Sequence, residues 1–349
     1  MNQNTQTKQT GPMLTGEEQI SSRCIRPHSF GVWEDYFIRL THIWGCMHNR
    51  INPLHVIFAA DHGIAKAGIV GCNPKLTRLQ AKTMLQQKSA ATQLATFAHI
   101  PYEIVDVGLN SHKAVGVDCK FQRGSANFLE ESAMTVDAYQ YVYEQVSKLI
   151  TTLINRNFKE INLLSFGEIG MGNTVASAAV LSALTGEPSS MTVDDMAGND
   201  EESVAKYQRV VADALAFHKG KLNSTECILQ RLGGFDLVAL TAAMVTCARA
   251  KVPFVIDGFT TAVALVCAQT ICPTVSQYAI PSHMSREKAM ILALSRVGIT
   301  PSQVPLHAHM AVGEGTGALL MVQMLQATYH ACMHMASLDD MMAMDTIVK

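Results

Sequence analysis

Two short segments of the chain repeat one arrangement: an apolar run, a glutamate set among glycines, then small residues that open a helix pattern. They are Leu163-Leu164-Ser165-Phe166-Gly167-Glu168-Ile169-Gly170-Met171-Gly172-Asn173-Thr174 and Met310-Ala311-Val312-Gly313-Glu314-Gly315-Thr316-Gly317-Ala318. Glycine admits positive φ and close approach of the backbone to a ligand, so each segment can set a carboxylate beside exposed N–H groups. The chemistry this composition serves is proton transfer next to a bound anion. Either segment alone is also compatible with an ordinary strand-to-helix turn bearing a solvated glutamate.

The ends of the other apolar runs add to the case. Six runs of strand length lead into Asp61-His62-Gly63, Asp106-Val107-Gly108, Gly167-Glu168, Asp257-Gly258, Ser282-His283 and Gly313-Glu314-Gly315, and five of the six bring an acid together with glycine. Ligands of parallel sheets bind beyond the carboxyl ends of the strands, so this concentration of Asp, Glu, His and Gly marks one shared site. Gly170, Met171, Gly172, Asn173 and Thr174 open a helix whose N–H groups and dipole suit a phosphate, and Ser285 and Lys206 offer further donors. Glu168 and Glu314 cannot face that phosphate, because like charges repel. They must face a point where a proton leaves or positive charge builds. Glycosyl transfer from a nucleotide has that demand: one carboxylate stabilises an oxocarbenium-like sugar carbon while another takes the proton of the nucleophile. A dinucleotide fingerprint is incomplete, since Gly170-Met171-Gly172 lacks its third glycine, and no Gly-Lys-Ser/Thr forms a P-loop. No zinc-type His or Cys spacing occurs, so neither a metal nor a cofactor is expected.

The elements that must hold these residues read as an α/β chain. Apolar residues are 48% and charged residues 16% of 349, enough for a large buried core. The strand-length runs are His55–Ala60, Tyr102–Val107, Glu160–Phe166, Pro253–Ile256, Gln277–Ile280 and Leu306–Val312; near-continuous apolarity is the mark of parallel strands covered on both faces. Helix patterns lie between them at Leu76–Phe97, Val136–Asn155, Thr174–Leu184, Ser203–Phe217, Phe235–Ala250, Thr260–Cys267 and Ser285–Val297, so a doubly wound, mostly parallel six-stranded sheet is expected. An amphipathic helix at Phe30–Met47 precedes the first strand, and a long helix from Thr316 to Met335 follows the last. Residues 1–20 read as a polar tail without a secretory signal. A net charge of −2 offers no basic stripe for nucleic acid, and no apolar segment is long enough to span a bilayer. The nine cysteines include no C-x-x-C and read as reduced thiols of a cytoplasmic protein.

Eight collinear motifs between about Arg26 and Met335 carry a family resemblance. They include Arg26-Pro27-His28-Ser29-Phe30-Gly31, Ala60-Asp61-His62-Gly63, Asp106-Val107-Gly108, Gly167-Glu168-Ile169-Gly170-Met171-Gly172-Asn173-Thr174, Ile256-Asp257-Gly258-Phe259, Ser282-His283-Met284-Ser285 and Gly313-Glu314-Gly315-Thr316-Gly317. The chain resembles the nicotinate-nucleotide:dimethylbenzimidazole phosphoribosyltransferases of cobamide lower-ligand assembly. The resemblance implies a Rossmann-like large domain (51–317), a small helical domain from the chain ends (21–50 and 318–349), and a dimer. It implies transfer of phosphoribose from nicotinate mononucleotide to an aromatic acceptor, giving the α-ribosyl phosphate and releasing nicotinate. Glu314 then matches the general base, Glu168 the glutamate of the ribose and phosphate turn, and Gly313, Lys206 and Ser285 further phosphoribosyl contacts. Asp61, His62, Val70 and Lys82 fall on the acceptor side or the pocket.

Several positions depart from the family pattern. Val193-Asp194-Asp195-Met196-Ala197-Gly198 stands where a Gly-Arg-Gly-type turn is usual, and Ala311 where an arginine is usual. Val70 lies near a usual serine, and Lys82 near a usual glutamine. Two variants within the family follow. One uses a phenol or cresol as acceptor, whose pKa near ~10 suits a carboxylate base in a dry pocket, and resembles relatives that work as pairs of unlike subunits. The other is a non-catalytic or weakly active partner subunit. Homodimer and heterodimer with a homologous chain, and benzimidazole and phenol acceptors, are all open at this point.

Overall fold

The computed structural model describes residues 14–66, 68, 73–156, 161–194 and 200–347. Six strands, β1 (Pro53–Ala60), β2 (Tyr102–Gly108), β3 (Val117–Asp118), β4 (Leu163–Ile169), β5 (Phe254–Ile256) and β6 (Ala279–Pro281), form one sheet in the order β3-β2-β1-β4-β5-β6. Every neighbouring pair is parallel. The chain therefore winds outward in both directions from β1 and β4, and the switch point between them is where a ligand crevice is expected.

Fourteen α-helices accompany the sheet among the described residues: α1 (Gly16–Ser21), α2 (Val32–Trp44), α3 (Pro74–Leu85), α4 (Ala90–Phe97), α5 (Val136–Arg156), α6 (Asn173–Thr185), α7 (Ser189–Thr192), α8 (Glu201–Phe217), α9 (Thr225–Leu232), α10 (Phe235–Arg249), α11 (Phe259–Ile271), α12 (Ala289–Arg296), α13 (Thr316–His334) and α14 (Leu338–Ile347). β1 is buried along its whole length. Its even-numbered residues Leu54, Val56, Phe58 and Ala60 join the main core with Val105, Phe166, Phe254 and the apolar faces of α5, α6, α10 and α11. Strand residues alternate between faces, so His55, Ile57 and Ala59 point to the other side of the sheet. α3 packs against β1 and β2.

The chain forms two compact units, residues 52–324 and the chain ends 1–51 with 325–349. In the unit built from the ends, Phe37 and Trp44 pack on Tyr329 with ring centroids 5.1 and 5.7 Å apart, and Arg23 donates to the carbonyls of Met333 and Met335. The stretch read as a polar tail holds all but the last residue of α1, which starts with a capping box between Thr15 and Glu18. No described helix is long and apolar enough to cross a membrane.

The structure corrects four readings of the elements. Leu306–Val312 is not a strand: Leu306 makes a single parallel bridge to His283, and His309 at φ 51° turns the chain out of an extended ladder. The sixth strand is instead β3, a two-residue strand too short to show as an apolar run. Leu76–Phe97 is two helices, because Gln87 takes φ 58° and Ser89 caps a new helix through Thr92. Finally, α12 begins at Ala289 with Lys288 at its N-cap, so Ser285 precedes the helix instead of opening it. Glu160, at the head of another expected strand, lies outside the described residues.

Candidate active site

The two Gly-flanked glutamates come together at the switch point. Glu168 sits near the end of β4, whose register places it opposite Phe58 of β1. Beyond it the chain turns through Gly170 and Met171 to Gly172, the N-cap of α6. Glu314 arrives from the far side of the sequence, on the turn that leads into α13. Gly313, Glu314 and Gly315 all have positive φ, at 74°, 60° and 80°. A left-handed glutamate is uncommon and persists only where its surroundings over-determine it.

Several groups fix this turn. Asp257, just past β5, accepts from Gly315 N at 3.2 Å and from Ala318 N at 3.0 Å, which satisfies donors at the start of α13. Gly167 lets the turn approach the sheet, since a Cβ there would lie 2.5 Å from the Glu314 carbonyl oxygen. The carboxylate is held too: Glu314 Oε2 accepts from Ala91 N at 3.2 Å, in the first turn of α4.

Glu168 and Glu314 both line a cleft of about 150 Å³. Its other walls come from the α6 turn (Gly170, Met171, Asn173, Thr174), the segment after β5 (Asp257 to Thr260), the loop before α12 (His283, Ser285, Glu287) and the approach to Glu314 (Ala311 to Gly313), with Gln80 of α3 closing one side. Four carboxylates face this space, and no Lys or Arg does among the described residues. Burial, with Asp236, Asp257 and Glu287 close by, pushes the Glu168 carboxyl well above its usual range, although Asn173 donates to it. Asp257 is also pushed up by burial, partly offset by His283, whose Nδ1 is 3.8 Å away, and by backbone N–H donors. Ser285 donates to Glu287. A carboxylate-rich, partly dry cleft favours cationic groups and proton donors over a bare anion.

The expected residues divide into three groups. Glu168, Glu314, Gly170, Met171, Asn173, Thr174, Ser285 and Gly313 line the cleft, with Gly172 between them at the head of α6. Within the anion turn, the Met171 N–H donates to Thr77 Oγ1 and the Asn173 N–H to the Gly170 carbonyl, so the donors left for a phosphate are narrowed to Gly170, Gly172 and Thr174. Asp61 and His62 stand behind the cleft as buried supports: Asp61 accepts from Asn110 N at 2.7 Å, and His62 Nε2 pairs with Asp236 Oδ2 at 3.0 Å. Lys206 is directed to the carbonyl of Gly68 and does not line the cleft. Lys82 lines a separate depression with Arg78 and His112. Val70 lies outside the described residues, as does most of the Val193–Gly198 turn.

Other residues of the site escape a reading by motif. Asp257 and His283 are visible as polar strand ends, yet only the structure ties Asp257 to the Glu314 turn. Gln80 and Ala91 carry no local signal at all.

Comparison with known proteins shows the family. The phosphoribosyltransferase family model DBI_PRT matches residues 11–342. The nicotinate-nucleotide–dimethylbenzimidazole phosphoribosyltransferase of Clostridium perfringens is 31% identical over 308 residues, covering 87% of this chain and 84% of the relative. The enzyme of the same name from Salmonella typhi is 33% identical over 274 residues, covering 78% and 75%. The crystal structure of CobT from Thermus thermophilus superposes with a TM-score of 0.85 at 27% identity, over 94% of this chain and 97% of that one. On the family-model match and the identity of these relatives over most of the chain, the chain belongs to the nicotinate-nucleotide–dimethylbenzimidazole phosphoribosyltransferase family.

Proposed function

We propose that the chain transfers phosphoribose from nicotinate mononucleotide to an aromatic acceptor for cobamide assembly, with Glu314 as the general base. The observation that carries this reading is the convergence of Glu314, Glu168 and the N-terminus of α6 on one cleft. Nicotinate mononucleotide is a pyridinium, and its glycosidic bond breaks with the electron pair moving to the ring nitrogen. The hydrogen-free ring nitrogen of a benzimidazole, or the oxygen of a phenol, forms the new bond to the ribose carbon from the opposite face, and the proton of the benzimidazole's other ring nitrogen, or of the phenol hydroxyl, passes to Glu314. The crowd of carboxylates suits the cationic ring and the positive charge that builds on the sugar. Glu168 loses part of its reason to stay protonated once that charge is present.

Acceptor-dependent release of nicotinate tests the reading. Purified protein with nicotinate mononucleotide and either dimethylbenzimidazole or p-cresol should release nicotinate only when an acceptor is present. No turnover with benzimidazoles, phenols or purines, alone or with a homologous partner chain, overturns it. The eight described cysteines are all free, which supports a reducing, cytoplasmic setting.

The lack of Lys and Arg among the described cleft residues, with Ala311 where relatives usually have arginine, favours a second reading. In it the chain works in a dimer with a homologous chain and turns over weakly alone. Glu314→Ala in the complex separates the two: abolished turnover puts the chemistry in this chain, and unchanged turnover puts it in the partner.

A further inference from the structure

β1 is buried from end to end, and its third residue is a histidine with no exposed surface. A polar ring in the middle of a covered parallel sheet needs partners for both nitrogens. His55 has them. Nδ1 is 2.7 Å from Ser165 Oγ, the residue opposite it in β4, and Nε2 is 3.3 Å from the backbone oxygen of Glu314. A carbonyl only accepts, so Nε2 carries the hydrogen. Burial pushes the ring pKa down to about 4, so the ring is neutral and Nδ1 accepts from the Ser165 hydroxyl. The chain Ser165 to His55 to Glu314 thus fixes one tautomer and directs one N–H at one carbonyl.

The ring also packs directly beneath the left-handed turn, since a Cβ on Gly315 would collide with His55 Cε1. Three groups therefore hold the uncommon conformation of Glu314: His55 on its carbonyl, Asp257 on the next N–H, and Ala91 on its carboxylate. His55 does not line the cleft and reaches the reaction only through the backbone of residue 314.

We infer that His55, oriented by Ser165, is a positioning residue for proton transfer by Glu314, an inference that rests on Glu314 being the base. Its N–H holds the carbonyl so that the side chain leaves the turn toward the α4 N-terminus and the acceptor. Without it the carbonyl rotates, the carboxylate leaves the Ala91 N–H, and the base loses its alignment with the acceptor.

The test compares His55→Leu, His55→Gln, Ser165→Ala and Glu314→Ala in the active form of the enzyme, alone or with its partner chain, using nicotinate mononucleotide with dimethylbenzimidazole or p-cresol. His55→Leu should lower kcat about 10- to 100-fold with KM for nicotinate mononucleotide within about 2-fold. His55→Gln keeps an N–H donor and should recover most of kcat, while Ser165→Ala should lose less than His55→Leu. Crystals of His55→Leu should show the Glu314 carboxylate beyond hydrogen-bond range of Ala91 N, a readout that needs no turnover. Retained contact in the crystal, or a folded His55→Leu with wild-type kcat, overturns the inference. So does a Gln variant no better than Leu. If His55→Leu fails to fold, Ser165→Ala and His55→Gln carry the same comparison. Wild-type turnover in Glu314→Ala instead overturns the base assignment itself.

Discussion

Glu314 Oε2 lies 3.2 Å from the backbone N–H of Ala91, so the glutamate of one loop docks on the first turn of a helix 223 residues earlier in the chain. The contact fixes where the carboxylate sits in the cleft before any acceptor arrives. Glu314→Gln keeps the size of the side chain and removes its basicity. It should lower kcat by about 10² to 10⁴ while nicotinate mononucleotide binds within about 3-fold of wild type. Steady-state nicotinate release and calorimetry give the two numbers. Wild-type kcat would remove Glu314 from proton transfer.

The approach of Gly167 to the Glu314 turn makes a second prediction. A Cβ at residue 167 would stand 2.5 Å from the Glu314 carbonyl oxygen and 2.6 Å from the Gly315 nitrogen. Both are backbone atoms, so relief requires the turn to shift. Gly167→Ala should cost about 1–3 kcal/mol of stability and lower kcat as well, because the shift carries the base with it. Chemical denaturation and turnover on the same sample check this. A variant as stable and active as wild type would show that the turn has slack.

Much of this architecture was legible in the sequence, and the exceptions have physical causes. Long, largely buried strands such as β1 and β4 announce themselves as apolar runs, and glycines around Glu168 and Glu314 mark the turns that carry them. β3 pairs through two residues, below what periodicity can register. The break between α3 and α4 hides because Gln86, Gln87 and Lys88 are ordinary helix formers with no Gly or Pro among them; Ser89 and Thr92 cap each other without the Glu or Gln that usually signals a capping box. With that break hidden, the helix N-terminus that holds Glu314 was invisible. Gln80 and Lys82 show the same limit. Two positions apart on a helix means about 200° around its axis, so only packing decides which one faces the cleft.

That packing yields a third prediction. Gln80 lines the cleft, and its Oε1 is buried without a hydrogen-bond partner among the described residues. A buried amide oxygen without a donor is costly in the free protein and is ready to receive the N–H or O–H of a bound ring. Gln80→Leu should raise the acceptor KM about 10-fold and leave the KM for nicotinate mononucleotide unchanged. Lys82→Ala should leave both unchanged, because Lys82 faces the depression shared with Arg78 and His112. The reverse outcome would move acceptor recognition to Lys82.

The half-buried Glu168 governs how stability responds to pH. Its carboxyl sits well above the ordinary value of 4.5, held there by burial and by Asp236, Asp257 and Glu287. Between the ordinary value and the raised one, the folded chain keeps a proton that the unfolded chain releases. The native state then binds more protons than the unfolded state, so stability falls as pH rises through that window. Asp257 is raised by burial and acts in the same direction. Glu168→Gln cannot ionise and should flatten the fall, so its Tm should gain on wild type steadily as pH goes from about 5 to about 8. Nicotinate mononucleotide, whose ring is cationic, should restore more Tm to wild type than to the variant at the upper end. Parallel Tm curves for the two proteins would mean that Glu168 is already ionised across this range, and that the neighbouring carboxylates do not confront it.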